Sequence, residues 1–418
     1  MERHSTDAAA ALTRRRFLTG AGAVAAVGVV TAVSARRAAA DAARSPLTLG
    51  SQPAGLPARQ HAWTASLRRD EFGNPVAPRF DRLLFFDLRG RPSAHSRLLL
   101  ESQLRVLERR FHWGPEGLLF TVGYAPEYFT EVLGMPSPVE RATKLSNFES
   151  PAIDAFHVCV HLAGDDEQRL IAVEAGLRRS LARILRWRET RTGFTGAGLP
   201  YAHQRVAGLG AGGAGGAAGS VRSVPRDAPL FMGFKSGLRK NQASEDAVTI
   251  AGGAFAEGTT MQVSYMTLAI ERWYEQSAAE RVALMYSPQT TVAAARRFTT
   301  DAAGEPSKVI EAITHYGMVG HAQTSALARR HGRPLIIRRD FDTVDGGRAG
   351  LHFVSLQRSI QDFVATRNAM NAPGAHNIDR KITGTRNNGI NAFIDVRRRA
   401  NYILPSRAER SFPLLPAA

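Results

Sequence analysis

The sequence predicts an α+β protein in which one architecture is written twice, on antiparallel sheets. Three observations lead there. Short apolar runs bounded by glycine alternate with stretches in which leucines recur every three or four residues. The order of strand-like and helix-like segments in residues 59–206 nearly returns in residues 226–370. Between them lies a Gly/Ala-rich tract, AGLGAGGAGGAAGS at 207–220, of the composition that forms flexible loops. Each half follows roughly β-α-β-β-α, which suggests two ferredoxin-like (βαββαβ) units.

Taken in order, Arg82 to Leu88 is a near-continuous apolar segment and predicts a strand. Pro92 and Ser93 open a helix whose Leu100, Leu104, Leu107 and Phe111 fall on one face. Gly117 to Tyr124 and Ala155 to Leu162 predict two more strands. Asp165 is placed to cap a second helix, with Leu170, Val173, Leu177, Leu181 and Ile184 as its buried stripe. In the second half, Thr259 to Ile270 predicts a strand and Glu271 to Met285 a helix around Trp273 and Leu284. Pro334 to Ile337 and Gly350 to Leu356 are strands, and Ser359 to Met370 is a helix. Residues 371–418 are expected to be an irregular, Asn/Arg-rich extension until Ala400 to Pro405.

Composition removes several function classes. With 418 residues and 44% hydrophobic content the chain can bury a large core, which excludes a disordered protein. The single cysteine, Cys159, excludes an intramolecular disulfide framework. The net charge of +17 is scattered, mostly as arginine, with no Lys/Arg block and no basic repeat interleaved with aromatics. A nucleic-acid partner is therefore not expected, and an anionic-surface binder is a third reading resting on charge alone. Thr13-Arg14-Arg15-Arg16-Phe17-Leu18, the weakly apolar Gly20 to Val33 and Ala38-Ala39-Ala40 make residues 1–40 a twin-arginine signal peptide, followed by a linker at 41–58. The apolar run is too short and too rich in Gly and Ala for a stable membrane span. Export to an extracellular, periplasmic or cell-envelope location follows.

Two histidine groups invite a metal. His157, Cys159 and His161 alternate along one strand, but same-face strand positions lie about 7 Å apart, too far to chelate one ion without a bulge. His315, His321 and His331 match no compact zinc spacing. A single histidine is nevertheless enough for a haem iron, because the porphyrin supplies four donors. Downstream, Ile336-Ile337-Arg338-Arg339-Asp340 puts cations at the end of an apolar strand entry; Asp340 and Asp342 are there to pair with them.

Several segments resemble the dye-decolourising peroxidase family of haem peroxidases. Gly233-Phe234-Lys235-Ser236-Gly237 is similar to the family's Gly-x-x-Asp-Gly signature. Gly252-Gly253, Met261-Gln262-Val263 and Trp273 resemble the strand-helix unit that follows, and Gly117 to Tyr124 an early strand. His321 falls where the family has its proximal histidine. Ile337-Arg338-Arg339 resembles the segment with the distal arginine, and Gly350 to Gln357 the next strand. The resemblance spans Arg59 to Met370 and implies a duplicated ferredoxin-like fold of the dimeric α+β barrel-like kind. It further implies haem b bound by His321, with Arg338 and the signature residues at its distal side. Hydrogen peroxide and an organic reductant would be the substrates, and assembly with other copies is left open. Ser236 departs from the pattern, since a serine has no carboxylate to move a proton. Val263 to Met266 also lacks the expected arginine for a haem propionate, and His315 rivals His321. The alternative is a member weakened or silent in catalysis that keeps the fold for binding, with or without haem.

Overall fold

The computed structural model describes residues 53–209, 223–296 and 306–415. The expected signal peptide, most of the linker and most of the Gly/Ala tract lie outside those residues.

The first apolar run becomes strand β1, Phe80–Leu88. Ser93 then caps helix α1, Ala94–Arg110, its side chain accepting from the Ser96 N–H. β2 (Leu119–Tyr124), β3 (Val158–Gly164), α2 (Glu167–Ser180) and β4 (Leu185–Phe194) complete a βαββαβ unit. Asp166, not Asp165, is the α2 cap, accepting from the Arg169 N–H at 3.1 Å. Asp165 instead binds the Arg79 N–H and the Arg68 guanidinium.

The second unit begins with β5, Thr259–Leu268. Its first helical crossover is broken into α3 (Ile270–Glu275) and α4 (Ala278–Met285) rather than one helix over 271–285. Ser277 and Glu280 form a reciprocal capping box that starts a new helix at that point. A long connection holds α5 (His321–Ser325), then come β6 (Ile337–Arg338), β7 (Phe341–Thr343), β8 (Gly350–Gln357) and α6 (Ile360–Met370). The expected irregular extension instead supplies an eleven-residue strand, β9 (Ile394–Leu404), which closes the second unit.

Sheet order shows the duplication directly. The first unit runs β4-β1-β3-β2 and the second β9-β5-β8-β6, the same order by position within each unit. The units join edge to edge, β2 to β9 through the pair Tyr124–Ile403 and β4 to β7 through Phe194–Asp342. β7 also pairs with β8, so the ring of strands closes into a barrel and leaves β6 as a short edge strand beside β8.

Inward residues of both units fill the barrel, among them Leu83, Phe85, Cys159, Met261, Val263 and Tyr402. On the outer face of the first unit, Leu84 and Phe86 pack under Leu100, Leu104, Leu170 and Leu177 of α1 and α2. Each such buried side chain contributes about 1.5–3 kcal/mol over leaving it exposed. The outer face of the second unit is not closed in this way.

Candidate active site

Outward side chains of β5, β8 and β9 (Met266, Leu268, Leu351, Phe353, Ile394 and Val396) form the apolar floor of a cavity beneath α6 and the long connection. His321, Arg338, Ser236, Phe234 and Lys235 all line it. Gly233 and Gly237 lie just outside, each with positive φ (82° and 75°) that glycine adopts without strain, and they turn the intervening residues inward. Phe234 stands edge-on to Tyr286, with ring centroids 5.2 Å apart. Lys235 is spent on an ion pair with Asp70, whose pKa falls to about 2 although burial opposes that shift.

His321 opens α5 directly after Gly320, and the backbone there sits against Tyr286. A Cβ on Gly320 would lie 2.0 Å from the Tyr286 carbonyl oxygen, so only glycine permits the approach. The Gln323 N–H donates to that same carbonyl at 3.2 Å. The His321 ring has no hydrogen-bond partner among the described residues. Burial first, then the charges of Arg338 and Arg367, push its pKa down to about 3, leaving a neutral imidazole with a free lone pair. His315 is exposed on a separate turn and does not line the cavity.

Arg338 is held by its backbone. Its N–H donates to Gln242 Oε1 at 2.7 Å, and its carbonyl accepts from Gln242 Nε2 at 3.0 Å. The guanidinium has no partner among the described residues, and its buried Nε is unsatisfied. Asp340 and Asp342 do not pair with Arg338. Asp340 accepts a hydrogen bond from Ser236 Oγ at 3.1 Å, and Asp342 accepts from the Phe231 N–H. Arg339 points elsewhere, its guanidinium 3.9 Å from the Trp63 ring and bonded to the His61 carbonyl.

A second cavity of about 530 Å³ adjoins the first, and Leu230, Lys235, Ser236, Arg338 and Asp340 line both. Arg68, Arg69, Arg79 and Arg239 give its remaining wall a positive cast.

The other histidine group is structural. Leu88 N–H donates to His157 Nδ1, His161 Nε2 sits 2.8 Å from Asp81 Oδ1, and Cys159 is buried in the barrel with its thiol pKa pushed up by burial. Among the described residues no three His, Cys, Asp or Glu side chains gather to hold a metal ion. No helix among them is long and apolar enough to cross a membrane.

Residues 78–406 match the model of a family described as a family of unknown function (DUF7405). The chain belongs to that family. No curated protein matches this DUF7405 sequence. Solved structures do match its fold. A dye-decolorizing protein from V. cholerae is 15% identical with a TM-score of 0.54, covering 85% of this chain and 100% of its own. A variant of Rhodococcus jostii RHA1 DypB in complex with heme is 13% identical with a TM-score of 0.57, covering 84% and 98%. A dye-decolorizing peroxidase from Bacteroides thetaiotaomicron is 11% identical with a TM-score of 0.53, covering 84% and 99%. This DUF7405 chain therefore has the fold of the dye-decolourising peroxidases, as a divergent example.

The cavity presents donors of the kind that heme, the group in the Rhodococcus jostii complex, would need. An unpartnered neutral imidazole and an unpartnered guanidinium face one space with apolar walls, and a lone histidine needs a porphyrin to complete an iron site. Sequence reasoning nominated His321, Arg338 and Ser236, but missed Gln242 and the bond from Ser236 to Asp340. The Gly320-His321 pair was the local signal that this histidine lies at a close backbone approach.

Proposed function

We propose that this protein binds haem b in the cavity beneath α6 and uses hydrogen peroxide to oxidise an organic reductant after twin-arginine export. The observation that carries the reading is the joint placement of His321 and Arg338, both unpartnered, on one apolar-lined cavity. Haem bound there supplies the redox-active iron. His321 would hold that iron, since its imidazole faces the cavity, is neutral and has no protein partner for its lone pair. Arg338, fixed by Gln242, presents a cation to the charge that develops on the departing peroxide oxygen. Ser236 stands where the related signature has an acid and can orient a water through its hydroxyl. The adjoining cavity offers a route for the reductant to reach Arg338 and Ser236. Residues 13–18 support export through their twin-arginine pattern.

Ser236 also supports a second reading, a haem-binding protein with little turnover, because a hydroxyl does not titrate in the working range. Protein purified from a haem-supplemented host should show a Soret band that His321→Ala removes. A band that survives the substitution refutes the ligand assignment. Peroxide-dependent dye oxidation by the same preparation then separates the peroxidase from the silent binder.

A further inference from the structure

We propose that Asp340 is the proton-transfer residue of this site, standing in for the carboxylate that position 236 lacks; the inference rests on the haem-binding reading above. Three carboxyl groups lie near the two cavities, and two are committed. Asp81 is bonded to His161 at 2.8 Å. Asp342 accepts from the Phe231 N–H, and burial without a cation partner raises its pKa well above the usual carboxyl range. Asp340 has no ion pair among the described residues, and its one hydrogen bond is accepted from Ser236 Oγ at 3.1 Å. It is half-buried, on the wall between the inner cavity with His321 and the outer one. As the second residue after Arg338 along an extended segment, it projects to the same side as the guanidinium.

The chemistry needs such a group. When peroxide is cleaved, the inner oxygen gives its proton to the Asp340 carboxylate, and the resulting acid passes that proton to the outer oxygen. The O–O bond then breaks with its electron pair going to the outer oxygen, which leaves as water. Peroxide is the oxidant, and bound haem would supply the two electrons that balance the cleavage. Ser236, donating to Asp340, holds the carboxylate toward the shared wall, so the serine acts as a positioning residue.

The test uses the haem-loaded full chain and hydrogen cyanide as the probe. Hydrogen cyanide must lose its proton to bind ferric iron, so its association rate reads the base without any turnover. Asp340→Asn keeps an oxygen to accept from Ser236 and keeps the volume, removing only the proton-carrying function. Association is expected to slow about 100-fold, with peroxide turnover slowing alike and haem content and Soret position unchanged. Adding Ser236→Asp to that variant places an acid one hydrogen bond away and should recover most of the rate. Unchanged cyanide association in a haem-replete Asp340→Asn variant overturns the assignment and leaves haem binding standing. Failure of the parent protein to take up haem overturns both.

Discussion

Acidification should destabilise this protein through His61, a histidine buried outside the cavities. Its Nε2 lies 2.9 Å from Thr249 Oγ1. The threonine hydroxyl already donates to the Glu245 carbonyl at 2.7 Å, so the ring must be the donor at Nε2. Nδ1 is then the unprotonated nitrogen, and it is buried with no partner. A second proton would meet no acceptor there. Burial first, then the charges of Arg339 and Arg59, lower the His61 pKa from 6.5 to about 3. A folded pKa below the unfolded value makes this contribution to stability complete above pH 6.5 and progressively lost as pH falls toward 3. Between pH 7.5 and 5 the unfolded chain takes up a proton that the folded one refuses, a loss of about 2 kcal/mol from this site alone. Urea unfolding followed by tryptophan fluorescence at the two pH values measures the total, and His61→Gln, which retains a donor for Thr249, isolates the histidine. The variant should lose about 2 kcal/mol less than the parent across the interval. An equal loss in both proteins refutes the reasoning.

Gly320→Ala should lower stability by about 1–3 kcal/mol and weaken haem retention with His321 intact, since the added methyl meets the Tyr286 carbonyl; thermal melts and the Soret absorbance check both. Arg410→Met, which leaves the buried Glu101 and Glu108 short of a cation, should cost about 3–5 kcal/mol in denaturant unfolding. Cys159 should ignore a thiol reagent in the native protein and react only on unfolding, because burial keeps it as the thiol. Arg338→Ala should leave haem uptake intact and reduce peroxide turnover about 100- to 1000-fold, read by steady-state dye oxidation.

The elements most legible in the sequence were those whose apolar pattern stands alone. β1 and the stripes of α1 and α2 needed no knowledge of distant partners, because each packs with its neighbours in sequence. β4, LRWRETRTGF, escaped notice because its polar residues are satisfied across the fold. Arg191 binds the buried Asp154, and Thr190 binds Glu174. β9 is the extreme case. Arg398 and Arg399 make IDVRRRANYIL look like a surface loop, yet Arg399 is buried against Glu149 and Arg398 reaches Asp154. Those carboxylates lie far away in sequence, so nothing local marks the guanidinium groups as neutralised. The same blindness applied at the site. Asp340 beside two arginines looked like a paired surface charge, and only the fold shows that Arg339 turns to Trp63 while Asp340 turns to Ser236.

The duplication explains why the candidate chemistry belongs to one half. In the first unit two helices of 17 and 14 residues lie across the sheet and bury the apolar outer side chains of its central strands. In the second, the equivalent first helix stops after six residues at the Ser277 capping box. What would be core there becomes the apolar floor of a cavity, and the connection that follows brings His321 over it. The opposite wall comes from the strand that sits at the free end of the second unit's sheet, β6, with Arg338. An edge strand has spare backbone groups on one side, and Gln242 uses those of Arg338 to anchor its main chain at the cavity wall. One interrupted helix thus leaves a cavity where the first unit has packed core. Restoring a continuous apolar helix across residues 270–285 should close that cavity and abolish haem uptake while raising stability, a coupling of opposite sign that a merely structural break would not produce.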